Sequence, residues 1–238
     1  MRRVGLIGGV SPESTVYYYQ VMNQRVREHR GGDHSMPLMV DAMDFGVMVG
    51  WYTEENWDPF IRNVVEAAQR LKAAGCSAIA IASNTTQMAV EAVREETGLM
   101  VIHLMDPLAK ALRNANFQKP LLLGTPVVME GAFYRSTLQR EFGIETIIPD
   151  AADREIVDRI IFDELCHGRI EETSRDAYRK IAERGESLGA DSVILGCTEI
   201  GLLIKDGDMP LPIFDTSLLH ATALADYALA IDGDNLRD

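Results

Sequence analysis

An internal repeat constrains the fold of this chain more than any other feature. An offset of 114 lays Gly75 on Gly189, Ile79 on Val193, Ile81 on Leu195 and Ser83 on Cys197 without a gap. The same offset lays Val64, Ala67, Ala68 and Leu71 on Tyr178, Ile181, Ala182 and Gly185, while an offset of 116 matches Gly8-Gly9 with Gly124-Thr125. The repeated pattern is strand, glycine turn, helix. Residues 4–7 are a short apolar strand ending at Gly8-Gly9, after which Ser11, Pro12 and Glu13 suit the cap and first turn of a helix. Residues 36–43 predict a second strand, and residues 60–74 a helix with Val64, Ala67, Ala68 and Leu71 on one face. Residues 78–82 are apolar at every position, as befits a strand covered on both sides.

From Pro120 the order restarts: a strand at residues 121–123, a helix through Phe133, Leu138 and Phe142, and a strand at residues 144–148 before Pro149. A helix through Ile160, Ile161 and Leu165 follows, then one with Tyr178, Ile181 and Ala182 inward, then a strand at residues 192–195. The expected fold is α/β, with two pseudo-symmetric lobes, each a parallel sheet flanked by helices, and an active site between them. We assign residues 1–103 with 212–238 to the first lobe and residues 104–211 to the second.

Composition narrows the function. Acidic residues outnumber basic ones by 36 to 23, and a net charge of −13 repels nucleic acid and anionic lipid. Cys76, Cys166 and Cys197 form no C-x-x-C pair, which argues against a disulfide framework and for a reducing compartment. The five histidines show no metal-binding spacing, so no metal is expected. The amino terminus becomes strand and glycine turn too early for a signal peptide, and no apolar run approaches the ~18 residues of a membrane span. A cytoplasmic protein without a membrane or nucleic-acid partner is the expectation, and a homodimer is the commonest assembly for such a chain. The glycines at 5, 8 and 9 fit neither nucleotide-binding fingerprint. Cys76 and Cys166 read as core cysteines, His167 before Gly168 as a helix-end residue, and His103 and His220 as surface or interlobe residues.

In parallel α/β sheets, ligands collect beyond the carboxyl ends of the strands, and the turns at Gly8, Ser83, Gly124 and Cys197 all occupy that edge. Ile7-Gly8-Gly9-Val10-Ser11-Pro12-Glu13, Ser83-Asn84-Thr85, Leu123-Gly124-Thr125 and Gly196-Cys197-Thr198-Glu199, in that order and spanning nearly the whole chain, resemble the aspartate/glutamate racemase family. The resemblance implies a cofactor-independent racemase of acidic amino acids, using neither pyridoxal phosphate nor metal. An amino acid would lie between two groups, one removing its α-proton and the other returning a proton on the opposite face. It makes Cys197 the thiol base and Ser83 the opposite group, where the family commonly carries C-N-T-x-H and this chain has Ser83-Asn84-Thr85-Thr86-Gln87.

An alcohol is a poorer proton acceptor than a thiol, so a bias toward L-aspartate or L-glutamate is expected. A cysteine at a strand-to-helix turn is expected to have its pKa lowered from about 8.5 by the helix N-terminus. By the same resemblance Asn84, Thr85 and Thr198 would donate to the substrate's α-carboxylate, Ser11 and Thr125 would line the lobe edges, and Glu199 would sit near the amino group. Residues 43–50, where the first lobe should contribute to the cleft, contain no Arg or Lys, which leaves Arg169 as the nearest basic candidate for a side-chain carboxylate. Two other readings stay open: a single-cysteine decarboxylase of the same superfamily, and a degenerate protein that binds an amino acid without turning it over.

Overall fold

A computed structural model describes residues 1–230, and in it Val4–Gly8 (β1) is buried at all five positions. A strand buried on both sides needs an element on each face, and the chain supplies them. After β1 come Pro12–Arg30 (α1), Leu38–Ala42 (β2), Phe45–Thr53 (α2), Trp57–Ala73 (α3), Ala78–Ile81 (β3), Val90–Thr97 (α4) and Met100–Val101 (β4). The four strands form one parallel sheet in the order β2-β1-β3-β4. Val4, Leu6, Ala78 and Ala80 pack on one face with Tyr18, Met22 and Val26 of α1, and with Ala221, Leu224, Ala225 and Ala228 of the last helix. Ile7, Ile79 and Ile81 face the other way, onto Val64, Ala67, Ala68 and Leu71 of α3, the stripe expected from the 3.6-residue period.

The second half contains Met105–Asn114 (α5), Pro120–Gly124 (β5), Pro126–Glu130 (α6), Ala132–Phe142 (α7), Ala151–Asp163 (α8), Glu172–Ser187 (α9), Ser192–Gly196 (β6), Ile200–Leu203 (α10), Ile213–Asp215 (β7) and Thr216–Leu229 (α11). Its sheet is parallel, in the order β5-β6-β7. The chain divides into two compact units, Met1–Leu104 with the stretch that starts at His220, and Met105–Leu219. Residues 231–238, part of the segment assigned above to the first lobe, lie outside the described residues.

The repeat seen in the sequence is a repeat of strand register. Val4 pairs with Ala78 and Ile7 with Ile81 in the first sheet, and the offsets of 116 and 114 carry these pairs onto Pro120 with Ser192 and Leu123 with Leu195, which are the observed partners. The flanking strands follow suit: Ile79 pairs with Val101 where Val193 pairs with Ile213, and Gly5 with Met39 where Leu121 bridges Ile147. The helix stripes correspond as well, with Tyr178, Ile181, Ala182 and Gly185 all buried on α9. Because a one-residue slip would turn every side chain to the opposite face, shared register is a far stricter match than shared composition.

Two expected elements break off where the sequence suggested continuity. Residues 144–148 make only the bridge at Ile147, whose N–H donates to Pro120 O at 2.9 Å and whose carbonyl accepts from Leu122 N–H at 2.8 Å. Pro149 has no N–H to extend the ladder, and Asp150 immediately caps α8 by accepting from Asp153 N–H at 2.9 Å. The helix through Ile160 and Ile161 stops at Asp163, and Leu165 lies in a separate 3-10 turn, Leu165–His167, closed by Gly168.

Of the surface or interlobe position expected of His220, the surface one is overturned. His220 is wholly buried in the first unit, where its Nε2–H donates to Ile102 O and its Nδ1 accepts from the Tyr18 hydroxyl, both at 2.9 Å. Burial lowers its pKa to about 4 and holds the ring neutral. Among the described residues, no helix is long and apolar enough to cross a membrane.

Candidate active site

In the first unit the site residues lie where β1 and β3 end. Ala82 N–H donates to Ile7 O at 2.9 Å, and the chain then passes through Ser83 and Asn84 into a 3-10 helix, Thr85–Ala89. Tight i to i+3 geometry arises because Ser83 Oγ accepts from Thr86 N–H at 3.3 Å while Gln87 N–H donates to Asn84 O at 3.2 Å. The Thr86 hydroxyl also donates to Ser83 Oγ, at 2.9 Å. With two donors on its oxygen, the Ser83 hydroxyl is suited to donating its proton and poorly suited to taking one. Gln87 clamps the turn from below: its Nε2 donates to both Ile81 O and Ser83 O at 2.9 Å, and its Oε1 accepts from Leu104 N–H at 3.4 Å. Ser83, Asn84 and Thr85 are all buried.

The β1-to-α1 turn reaches the same edge. Ser11 caps α1 with its side chain, accepting from Ser14 N–H at 3.4 Å, while Ser14 Oγ donates to Ser11 O at 3.0 Å and approaches Ala82 O at 3.5 Å. Gly9 has φ +81°, and a Cβ there would lie 2.2 Å from Met43 O, so the turn closes against backbone that only glycine tolerates.

In the second unit Gly124 and Gly196 are register partners, and a Cβ on Gly124 would come within 2.8 Å of Gly196 O. This close approach carries Thr125 and Cys197, the next residue of each strand, to one sheet edge. Thr125 caps α6 with its carbonyl, which accepts from Val128 and Met129 N–H at 3.0 and 2.9 Å.

Cys197 is buried, and its thiol donates to Glu199 Oε2 at 2.8 Å; the Thr198 hydroxyl donates to the same oxygen, also at 2.8 Å. Burial first, and then the Glu199 carboxylate, push the Cys197 thiol well above its ordinary pKa. This reverses the expected lowering by a helix N-terminus. The following helix α10 is only Ile200–Leu203, and the residue at its cap is itself a carboxylate. The resting pair is therefore a thiol beside a carboxylate, and Glu199 is the group positioned to take the thiol's proton.

Thr198 and Glu199, the expected substrate contacts of this turn, are joined to each other and to Cys197 through Glu199 Oε2. Arg169 is exposed beyond Gly168, and its guanidinium donates to Asp163 O. Cys76 and Cys166 are both buried, and Cys166 is among the groups that add to the upward shift of the Cys197 thiol. Sequence reasoning missed Thr86, Gln87 and the orientation of Glu199. Thr86 and Gln87 stand inside the motif already singled out, and Glu199 stands two residues beyond the thiol it contacts.

The Asp/Glu/Hydantoin racemase family model matches residues 7–224. Among solved structures, a candidate Asp/Glu racemase of Yersinia pestis is 42% identical, with a TM-score of 0.88 over 96% of this chain and 100% of that one. An aspartate racemase homologue from Pyrococcus horikoshii OT3 is 33% identical, with a TM-score of 0.83 over 96% of this chain and 100% of that one. The broad specificity amino-acid racemase RacX of Bacillus subtilis (strain 168) is 21% identical across 95% of this chain and 98% of its own length.

Proposed function

Since this chain belongs to the Asp/Glu/Hydantoin racemase family and is thereby an amino-acid racemase, we propose that its substrates are L-aspartate or L-glutamate and that it works at Cα with Cys197 as base and Ser83 as the opposing acid, without pyridoxal phosphate or metal, as a homodimer. The observation that carries the reading is the unequal chemistry of the two positions related by the repeat. Cys197 has a carboxylate 2.8 Å from its sulfur, whereas Ser83 has the Thr86 hydroxyl at 2.9 Å.

Glu199 takes the proton of the Cys197 thiol, and the resulting thiolate removes the substrate's α-proton. The carbanion formed is stabilised by donors on the substrate carboxylate, for which we propose Asn84, Thr85 and Thr198, with Ser11 and Thr125 at the edges and Arg169 for the side-chain carboxylate. Ser83 then gives its proton to the opposite face and takes one back from solvent through Thr86, whose hydroxyl already donates to it, while Glu199 releases to solvent the proton it took, which restores the thiol and both hydroxyls. A serine supplied through a relay returns a proton more slowly than a thiol beside a carboxylate, which is the source of the proposed bias toward L.

Incubation with each enantiomer of aspartate and glutamate in heavy water tests this reading. The wild type is expected to lose the α-proton signal of the L-enantiomer first, and Cys197→Ala to slow that exchange by roughly 10²–10⁴-fold with little change in ligand affinity, the usual worth of a positioned acid–base group. Undiminished exchange in Cys197→Ala removes the thiol from the mechanism, and release of carbon dioxide from malonates without any amino-acid exchange favours the decarboxylase reading.

A further inference from the structure

Behind Cys197 lies a second layer of groups that the mechanism above leaves unused. Tyr178, on α9, is wholly buried, and its hydroxyl has no hydrogen-bond partner. Four acidic groups bear on that hydroxyl: Cys197 and Glu199 at the end of β6, Glu164 after α8, and Asp158 within α8. Asp158 Oδ1 is likewise buried without a partner. The phenol is thus a buried donor left unpaired, and the groups named can only accept once ionised.

Nothing in the packing requires a hydroxyl at this position. The repeat places Val64 there in the first unit, equally buried on the corresponding helix face. A buried hydroxyl left unpaired in the resting state is destabilising, and such groups call for an explanation beyond packing. The second unit carries this hydroxyl where it also carries the thiol, and the first unit carries neither.

We propose that Tyr178 is a positioning residue for the Cys197–Glu199 pair: its hydroxyl donates, directly or across one interior water shared with Asp158 Oδ1, to the negative charge of the pair when the proton has left Cys197. In the resting protein the thiol proton is hydrogen-bonded to Glu199 Oε2, at 2.8 Å. Transfer of that proton moves the negative charge from the carboxylate to the sulfur, and a phenol donor to that sulfur stabilises the thiolate over the thiol. The inference rests on the reading of Cys197 as the base, and it assigns Tyr178 no contact with substrate.

Tyr178→Phe removes only the hydroxyl. Iodoacetamide alkylation of Cys197, followed across pH by mass spectrometry of its tryptic peptide, reports the thiolate without any assumption about turnover. The expected result is an alkylation profile displaced upward by about one pH unit, equivalent to tenfold less thiolate at neutral pH. Tm should be unchanged or higher, KM for the amino acid unchanged, and kcat lower by about tenfold. A wild-type alkylation profile overturns the proposal, as does a marked fall in Tm, which would mean that the hydroxyl is bonded in the resting protein. Should the variant fail to fold, biosynthetic 3-fluorotyrosine keeps the residue and makes it a stronger donor; the profile must then move downward, and no movement overturns the proposal. If the wild type exchanges no α-proton while the alkylation profile still answers to Tyr178→Phe, the racemase reading alone fails; if it exchanges normally and the profile does not move, this inference alone fails.

Discussion

His220 is neutral in the folded protein down to a pKa of about 4, whereas an exposed histidine takes up its proton near 6.5. The group's folded pKa is depressed, so the stability it contributes is complete above about pH 6.5 and is lost as pH falls toward 4, because only the unfolded chain binds the proton in that window. The shift corresponds to about 3 kcal/mol at most. Urea midpoints of His220→Gln should therefore lie below those of the wild type at pH 7.5 and fall less steeply between pH 6.5 and 4; parallel pH profiles would contradict this. At Ser83 the expectation concerns chemistry. Ser83→Cys should selectively raise α-proton exchange of the enantiomer that the wild type disfavours, and exchange in heavy water unresponsive to the change would remove Ser83 from the acid role. The placement of Cys197 and Ser83 just past two apolar strands was legible in the sequence because the repeat aligns them. The 2.8 Å contact of Glu199 with Cys197 was not legible, since spacing does not determine which way a side chain turns once burial and competing donors decide.

The β1-to-α1 turn depends on backbone that a side chain would displace. At Gly9 both φ, at +81°, and the 2.2 Å clash of a Cβ with Met43 O forbid another residue. Gly9→Ala should cost at least about 2 kcal/mol, from overpacking against backbone and left-handed strain together. A thermal scan should show it as a drop of several degrees, and an unchanged Tm would mean that the turn has another way to close. Strands buried on both faces and helices with a clear apolar stripe were readable from the sequence, as the helix through Val64, Ala67, Ala68 and Leu71 illustrates. The segment at residues 144–148 was not, because its apolar pattern says nothing of Pro149 and the Asp150 cap drawing the chain away after one bridge. The full burial of His220 was not readable for a related reason: its two hydrogen-bond partners, Tyr18 and Ile102, are 202 and 118 residues away.

At the scale of the molecule, a net charge of −13 opposes the approach of an anionic amino acid through a field that salt screens. Between about 10 and 150 mM ionic strength the screening length falls from about 30 to 8 Å. Over that range kcat/KM for aspartate or glutamate should rise, by roughly two- to threefold, relative to that for a neutral amino acid; a fall would point instead to a local cationic path to the site. The register shared by the two halves has a geometric consequence of its own. Val4 with Ala78 and Pro120 with Ser192 are the same parallel pairing made twice from L-residues. Two such copies can be superposed by turning or sliding one of them, never by reflection in a mirror. A substrate and its enantiomer are related only by reflection, so the duplicated scaffold offers them no equivalence in itself. Even-handedness toward the two would therefore need matching chemistry at the positions that the repeat pairs, and here those hold an oxygen at position 83 and a sulfur at position 197.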